Sequence, residues 1–317
     1  NNIFVYIYRK DDDLANPILR QKISSRRFFS APGVQDMIAA VICNKVGFDI
    51  VYGSGFWLTA SSLGLPDAGI ATYTQMLDRM STLTKTANAA VIADADTGYG
   101  GLLNVHHTVR GYEAAGVTAI QLEDQEFPKK CGHTPFKRVI SRADMVDKVR
   151  VAAAARVDAE NFLIIARTDA RAGEGLDSAL QRLHAYREAG ADILFLEAPQ
   201  SEEEMRSACR EITAPMLANM ADGGLTPMLS VQELEDIGYA GAIFPSATSL
   251  AAAAAMETVL MRLKQSGVNR TDNAPLFDFK EFCQLIGFED VWAFERRWAP
   301  DKSLDHPKTP PLAKTRP

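Results

Sequence analysis

Four times along this chain a glycine that closes a helical stretch is followed, seven residues later, by the end of a short apolar run. Gly47 leads to Ser54, Gly116 to Glu123, Gly190 to Glu197 and Gly238 to Pro245. Glycine suits the left-handed residue just past a helix, where a side chain would be strained. A helix stop followed at fixed distance by an apolar strand is the repeating unit of a βα architecture. The apolar runs number eight: Arg27–Ser30, Asp49–Gly53, Ala90–Ala93, Thr118–Leu122, Phe162–Ala166, Asp192–Leu196, Pro215–Ala218 and Gly241–Phe244. Most are continuously apolar, as strands covered on both faces of a parallel sheet are. Helical spacing fills the gaps. Val105, Val109 and Tyr112 recur at i, i+4, i+7, Leu176, Leu180 and Leu183 repeat that spacing, and Ser141 is placed to cap another helix. Eight such units predict an α/β fold, a (β/α)8 barrel of the TIM type.

At 317 residues, 47% of them hydrophobic, the chain has material for one barrel with extensions and a core that needs no disulfides. The division expected is an N-terminal arm at 1–20, a catalytic barrel at 21–268, a helical segment at 269–299 and a flexible tail at 300–317. The apolar start Asn1–Tyr8 lacks the features of a signal peptide and reads as an arm. Cys43, Cys131, Cys209 and Cys283 are scattered with no CxxC pair, which fits a reducing compartment and a cytoplasmic, mitochondrial or peroxisomal protein. A net charge of −6 without basic runs argues against nucleic acid and membrane surfaces as partners. No apolar stretch reaches the roughly 18 residues of a membrane span.

Polar residues collect where the apolar runs end: Ser54, Asp94, Asp96, Glu123, Asp124, Arg167, Asp169, Glu197 and Asn219. In such barrels the C-terminal ends of the strands form the active face. Asp94-Ala95-Asp96-Thr97-Gly98 sets two carboxylates two positions apart, able to face one cation; hard oxygen ligands suit Mg²⁺ or Mn²⁺. A polar turn explains the same residues, but Asp67, Glu123 and Asp124 near other strand ends weigh towards a metal. Between Leu122 and about Ser141 runs a loop long enough for a lid. It carries Lys129-Lys130-Cys131-Gly132-His133. The flanking Lys129, Lys130 and His133 predict a lowered pKa for the Cys131 thiol and a side chain that exchanges a proton with a carbanion. Cys43, Cys209 and Cys283 lie on apolar helical patterns and read as core, and His106, His107 and His184 as helix-surface residues. Arg167 offers a planar fork to a carboxylate, or an ion pair to Asp169 or Glu197. The Gly53-Ser54-Gly55-Phe56 turn offers N–H groups and a hydroxyl to an anion, or is a plain turn.

Taken together, Lys-Lys-Cys-Gly-His, Asp-Ala-Asp-Thr-Gly, Leu-Glu-Asp-Gln, Ala-Arg-Thr-Asp-Ala, Ser-Leu-Gly-Leu-Pro-Asp (62–67) and Asn219-Met220 resemble the isocitrate lyase/phosphoenolpyruvate mutase superfamily from about Gln21 to Arg297. The short form, without a large insertion, is similar to its lyases of 2,3-dimethylmalate and 2-methylisocitrate and to its oxaloacetate hydrolases. The resemblance implies a Mg²⁺-dependent carbon–carbon lyase acting on a small dicarboxylate. Asp96 would ligate the metal directly and Asp67, Asp94 and Glu123 would hold its waters. Tyr52, Ser54, Gly55, Phe56 and Asp96 would line the site of the 2-oxo acid part. Arg167 would bind its carboxylate or reacting oxygen, and Asn219 and Thr248 the other carboxylate. Cys131 would protonate the departing carbanion while His133 and Glu197 order the gate, and Tyr52 is the candidate to take the hydroxyl proton. A homotetramer, a dimer of helix-swapped dimers, is also implied, with Phe277–Trp298 as the exchanged helices.

Within the superfamily, Cys131 argues against mutases and phosphonopyruvate hydrolases, which need no such acid. Pro245 stands where the hydrolases carry Ser, which favours a lyase, although Ser246 is adjacent. Asn219-Met220-Ala221-Asp222-Gly223-Gly224 and the bulky Phe56-Trp57 place an alkylmalate such as 2,3-dimethylmalate ahead of 2-methylisocitrate, with oxaloacetate hydrolysis or decarboxylation third. A catalytically idle barrel that binds a dicarboxylate is the alternative of another class.

Overall fold

The computed structural model describes residues 15–134, 136–269 and 275–298. Most of the expected N-terminal arm and the expected tail lie outside these residues. In chain order the elements are α1 (Ile18–Ser24), β1 (Phe29–Val34), α2 (Met37–Val46), β2 (Ile50–Gly53), α3 (Gly55–Leu63), α4 (Tyr73–Thr86), β3 (Ala90–Asp94), α5 (Leu102–Ala114), β4 (Ala119–Glu123), α6 (Arg142–Ala155), β5 (Leu163–Thr168), α7 (Arg171–Glu174), α8 (Leu176–Glu188), β6 (Ile193–Leu196), α9 (Glu202–Glu211), β7 (Met216–Asn219), α10 (Val231–Ile237), β8 (Gly241–Phe244), α11 (Ala247–Ser266), α12 (Phe279–Leu285) and α13 (Phe288–Trp298). The eight strands are parallel and close, in sequence order, into a barrel with β8 against β1. This is the (β/α)8 fold that the repeating glycine offset predicts. Gly47, Gly116, Gly190 and Gly238 all have positive φ and all follow a helix end.

Seven of the expected strands overlap the observed ones closely. The first differs: β1 runs to Val34, through Pro32 and Gly33, four residues past its expected end. Those two residues read as strand breakers, yet Pro32 pairs in register with Phe244. Gly33 is needed because the Pro245 carbonyl occupies the space a Cβ would take. Elsewhere β3, β4 and β7 reach one residue further than their apolar runs, to Asp94, Glu123 and Asn219.

Two cores result. One lies inside the barrel, where Leu19 of α1 packs with Phe29, Ile50, Ile92, Ile165 and Ile193. Helix α1 thus closes the N-terminal end, and Arg20 and Arg156 hold Asp192 there at 2.9 and 2.6 Å; the end of the expected arm, residues 18–20, forms the first turn of this helix. The other core lies between strands and outer helices and includes Val105, Val109, Tyr112, Leu180 and Leu183. Ser141 caps α6, accepting from the Asp144 amide at 3.1 Å. Helices α12 and α13 bury no residue fully, and the 20 residues of α11 bury only Ser249. Among the described residues no helix is long and apolar enough to cross a membrane.

Candidate active site

A cavity of about 210 Å³ opens at the C-terminal ends of the strands. That is smaller than the ~300–1,000 Å³ typical of sites for drug-sized ligands and suits a small metabolite. All four residues at the seven-residue offset, Ser54, Glu123, Glu197 and Pro245, line it. Tyr52, Phe56, Asp67, Asp94, Cys131, His133, Arg167 and Asn219 line it too. Three expected site residues do not. Thr248 is turned away, its hydroxyl bound to the Gly33 carbonyl at 2.6 Å and to Gln35 Oε1 at 2.5 Å. Gly55 gives its N–H to Asp94 Oδ2 at 3.1 Å rather than to the cavity. Asp96 lies behind the wall, against the ammonium of Lys129.

The acidic side of the cavity is built around that ammonium. Lys129 Nζ stands 2.7 Å from Asp67 Oδ1 and 2.6 Å from Asp96 Oδ1, with only 2% of the side chain exposed. Burial alone would lower its pKa, but Asp96, Glu123, Asp94 and Asp67 outweigh this and raise it well above the usual lysine value. One ammonium does not neutralise four carboxylates. Burial therefore pushes Asp96 up to about 7 and Glu123 well above the carboxylate range. Glu123 Oε1 has no hydrogen-bond partner. The same holds for Asp96 Oδ1, whose contact with Lys129 is close but poorly directed; the short ion pair is the more informative description. Among the described residues no three metal-ligating side chains converge as placed. Gly55 is required here, since a Cβ would stand 2.9 Å from Asp94 Oδ2 and 3.1 Å from Asp96 Oδ1. The backbone of Asp96 itself has a positive φ of 49°.

The long loop is folded down over the cavity. Its neck is a short antiparallel pairing, Glu126 N–H to Arg138 O at 2.8 Å and Ile140 N–H to Asp124 O at 2.9 Å. Gln125 clamps Lys130 through both ends of its carboxamide, at 2.7 and 3.0 Å. Gly132 passes so close to Glu197 and Arg167 that a Cβ would overlap Glu197 Oε1 and Arg167 Nη2. His133 Nε2 lies 3.1 Å from Glu197 Oε1 and 3.2 Å from Asn219 Nδ2, and its Nδ1 accepts from the Leu225 amide at 3.3 Å. Cys131 is thereby delivered half-buried to the cavity. The expected lowering of its pKa is not found: burial raises the thiol above its usual value, and the His133 amide and Arg167 offset this only in part. The reason is directional. Lys129 points to the acidic cluster and the Lys130 ammonium to the Phe136 carbonyl at 3.3 Å.

Arg167 is fully engaged on one edge. Its Nε and Nη2 donate to Asp169 at 2.8 and 2.9 Å, and Nη2 lies 3.5 Å from Glu123 and 3.7 Å from Glu197. Asp169 is buried, but Arg167 and Lys137 hold its pKa down at about 2. Tyr52 donates to Gln121 Oε1 at 3.3 Å, and burial with the nearby Asp94 raises its phenol well above 10.0. That opposes a role as base and favours a neutral hydroxyl. Asp124 is not a cavity residue. It accepts from Thr168 and Tyr186, both at 2.7 Å, and from the Asp169 amide at 2.9 Å, a wholly buried brace for β5 and α8. Sequence reasoning missed Gln125, Lys137 and the Ser246–Asp222 bond of 2.7 Å at the cavity edge. Gln125 closes the Leu-Glu-Asp-Gln motif without a role read for it, and only its position inside the long loop pointed to Lys137.

Residues 19–264 match the family model described as phosphoenolpyruvate phosphomutase. The 2,3-dimethylmalate lyase of Eubacterium barkeri is 43% identical over 281 residues, covering 89% of this chain and 97% of that protein. The 2-methylisocitrate lyase of Aeropyrum pernix is 42% identical over 292 residues, covering 92% of each. Among solved structures, a 2,3-dimethylmalate lyase described as a PEP mutase/isocitrate lyase superfamily member has a TM-score of 0.83 at 33% identity, over 88% of this chain and 94% of that one. Oxaloacetate acetylhydrolase with 3,3-difluorooxalacetate gives 0.83 at 33%, over 88% and 95%. Phosphonopyruvate hydrolase in complex with oxalate and Mg²⁺ gives 0.78 at 31%, over 89% and 98%.

Proposed function

The chain belongs to the phosphoenolpyruvate mutase/isocitrate lyase superfamily, and we propose that within it the protein is a carbon–carbon lyase that cleaves a 2-hydroxy dicarboxylate, 2,3-dimethylmalate in type, to pyruvate and a carboxylic acid. The observation that carries this reading is the Cys131 thiol. A loop closed over the cavity holds it there, and burial keeps it protonated. A neutral thiol at this place is a proton donor for carbon.

The family implies a divalent cation, Mg²⁺ or Mn²⁺. The residues fit it in kind: Asp67, Asp94, Asp96 and Glu123 are hard oxygen donors, the buried Glu123 Oε1 lacks a hydrogen-bond partner, and the Lys129 ammonium against Asp67 and Asp96 shows that the cluster accepts a cation. Asp96 would bind the ion directly, with Asp67, Asp94 and Glu123 holding its waters. When bound, it supplies positive charge that stabilises the oxygens of a 2-oxo acid product.

The chain's own residues do the rest. Arg167, oriented by Asp169, receives a substrate carboxylate or the reacting oxygen, and the Asn219 amide the other carboxylate. Tyr52 keeps its proton and donates a hydrogen bond. The 2-hydroxyl gives its proton to a carboxylate of the acidic side, where burial raises the pKa of Glu123. As the C2–C3 bond breaks and the 2-oxo group forms, Cys131 gives its proton to the carbon that leaves, and Arg167 lies close enough to favour the thiolate left behind. The loop excludes water from that carbon until the proton has moved.

Substrate size follows from the cavity wall. Phe56 and Trp57, in edge contact at 4.8 Å, narrow one side. Asp222, held by Ser246, sets a negative charge at another and disfavours a third carboxylate. The same bond engages the Ser246 hydroxyl, which argues against its holding a hydrated carbonyl as a hydrolase would need. The second reading, cleavage of 2-methylisocitrate, is favoured by the relative at 42% identity.

The assembly we propose is a homotetramer in which 269–299 is exchanged between neighbours, outside the barrel of 21–268. The exposed Leu260, Met261, Phe279 and Trp298 support it. The substrate is tested by pyruvate release, coupled to lactate dehydrogenase, from 2,3-dimethylmalate, 2-methylisocitrate and oxaloacetate in Mg²⁺, with oxalate assayed in parallel. Pyruvate from dimethylmalate is expected. Pyruvate only from methylisocitrate would transfer the function to the second reading, and oxalate alone would make the protein a hydrolase.

A further inference from the structure

The loop that carries Cys131 closes over the cavity, and one side chain not used by the chemistry above bridges it to the barrel. Lys137 lies in the same loop, six residues past Cys131. Its ammonium donates to the Gly132 carbonyl and to Asp169 Oδ1 at 2.8 Å, with 5% of the side chain exposed. Asp169 is the carboxylate that grips Arg167 through two hydrogen bonds. One ammonium therefore joins the residue next to the catalytic thiol to the residue that orients the anion-binding arginine.

We propose that Lys137 is the positioning residue that latches the Cys131 loop shut, tying Gly132 to Asp169 so that the thiol is in place only when the Arg167 side of the cavity is assembled. The proposal rests on the lyase reading for its catalytic meaning but not for its geometry. Three observations support a latch rather than a fold-stabilising ion pair. Asp169 already has a full bidentate partner in Arg167 and accepts a backbone-independent charge pair there, so the barrel does not need Lys137 to satisfy it. The second acceptor of Lys137 is the Gly132 carbonyl of the same loop, so one ammonium ties the residue beside the thiol to Asp169 of the barrel. The clamps before Cys131 are Gln125 on Lys130, which is neutral, and the Lys129 ion pairs to Asp67 and Asp96, which fix the acidic side of the cavity. After Cys131, the lysine bond to the barrel is that of Lys137 to Asp169, on the Arg167 side. Charge-assisted hydrogen bonds are about twice as strong as neutral ones. Deleting this one shifts the closing equilibrium by roughly tenfold or more.

The test uses the full chain and the variants Lys137→Met and Lys137→Arg, with folding checked by thermal melting. The first readout is the rate of Cys131 alkylation by N-ethylmaleimide, located by peptide mass mapping, with Cys43, Cys209 and Cys283 as internal controls. In Lys137→Met the Cys131 rate should rise about tenfold while the controls and the melting temperature stay unchanged. Lys137→Arg, which keeps a donor and the charge, should return it towards wild type. The second readout is the kinetic split: kcat should fall at least tenfold in Lys137→Met. Equal Cys131 alkylation in wild type and Lys137→Met would overturn the latch. So would a rise at all four cysteines, since that reports general loosening. If wild type releases no pyruvate from any substrate yet the Cys131 rate responds to Lys137, the lyase reading fails and the latch stands. If wild type turns over and alkylation is indifferent to Lys137, the reverse holds.

Discussion

Cys131 illustrates how a residue's chemistry depends on where its neighbours point. Three cationic or titratable side chains flank it in sequence, but Lys129 is turned into the acidic cluster and burial dominates the thiol. Its pKa rises above 9.0. The acid needed for turnover is therefore present through neutral pH, and kcat should fall only as pH climbs through that raised value. A pH–rate profile with its alkaline limb above pH 9 is the expected result. Cys131→Ser should lose on the order of a hundred- to ten-thousand-fold in kcat, read by pyruvate release, without a change in melting temperature. Gly55 is the other decisive single residue. Adding a Cβ presses on Asp94 and Asp96, so Gly55→Ala should weaken Mg²⁺ binding by at least about tenfold in titration calorimetry. Strand-end position and residue type were enough to place Arg167, Asp94, Glu123 and Glu197 at the cavity, and the long loop with its titratable neighbours to place Cys131 there. The roles of Gly55 and Asp124 were not legible, because each depends on which way one side chain or amide points across the barrel mouth.

At the scale of elements, the seven-residue step from helix-ending glycine to strand end proved to be a register. It brings Glu123, the last residue of β4, and Ser54, Glu197 and Pro245, the residues just past β2, β6 and β8, to one cavity. A βα unit has a nearly fixed length from helix stop to strand mouth, so local spacing encodes a shared depth. The strand limits were less legible where Pro32 and Gly33 continue β1, since only the contact with Pro245 explains them. The loop after β4 was visible as a long insertion but its closed position was not, because its partners lie in β5, β6 and the segment after β7. Gly132 reports that closure. Gly132→Ala puts a methyl group onto Glu197 and Arg167 and should hold the loop open. The expected result is a loss of kcat of about a hundredfold or more, with a thermal melt like that of wild type and faster proteolysis between Lys129 and Arg138.

For the whole molecule, eight parallel strands in sequence order bury one continuous interior, and helix α1 seals its lower end with Leu19. That much follows from periodicity. The C-terminal helices follow a different logic: α11, α12 and α13 leave Leu260, Met261, Phe279 and Trp298 exposed on the single chain. Exposed large apolar side chains on three successive helices support the proposed interface. The double variant Leu260→Glu, Met261→Glu should therefore reduce the sedimenting species from tetramer to smaller forms, while a wild-type monomer would remove the exchanged-helix arrangement. The central claim is that this barrel breaks a carbon–carbon bond and that Cys131 protonates the departing carbon. The most direct measurement is proton and deuterium NMR of the products formed from 2,3-dimethylmalate with Mg²⁺ in D₂O. The account predicts equimolar pyruvate and propionate, the propionate carrying one deuterium at C2, with both products formed on the order of a hundredfold or more slower by Cys131→Ser. Propionate formed at the wild-type rate by Cys131→Ser would contradict the assigned acid. Failure of wild type to form pyruvate from this compound would contradict the assigned substrate.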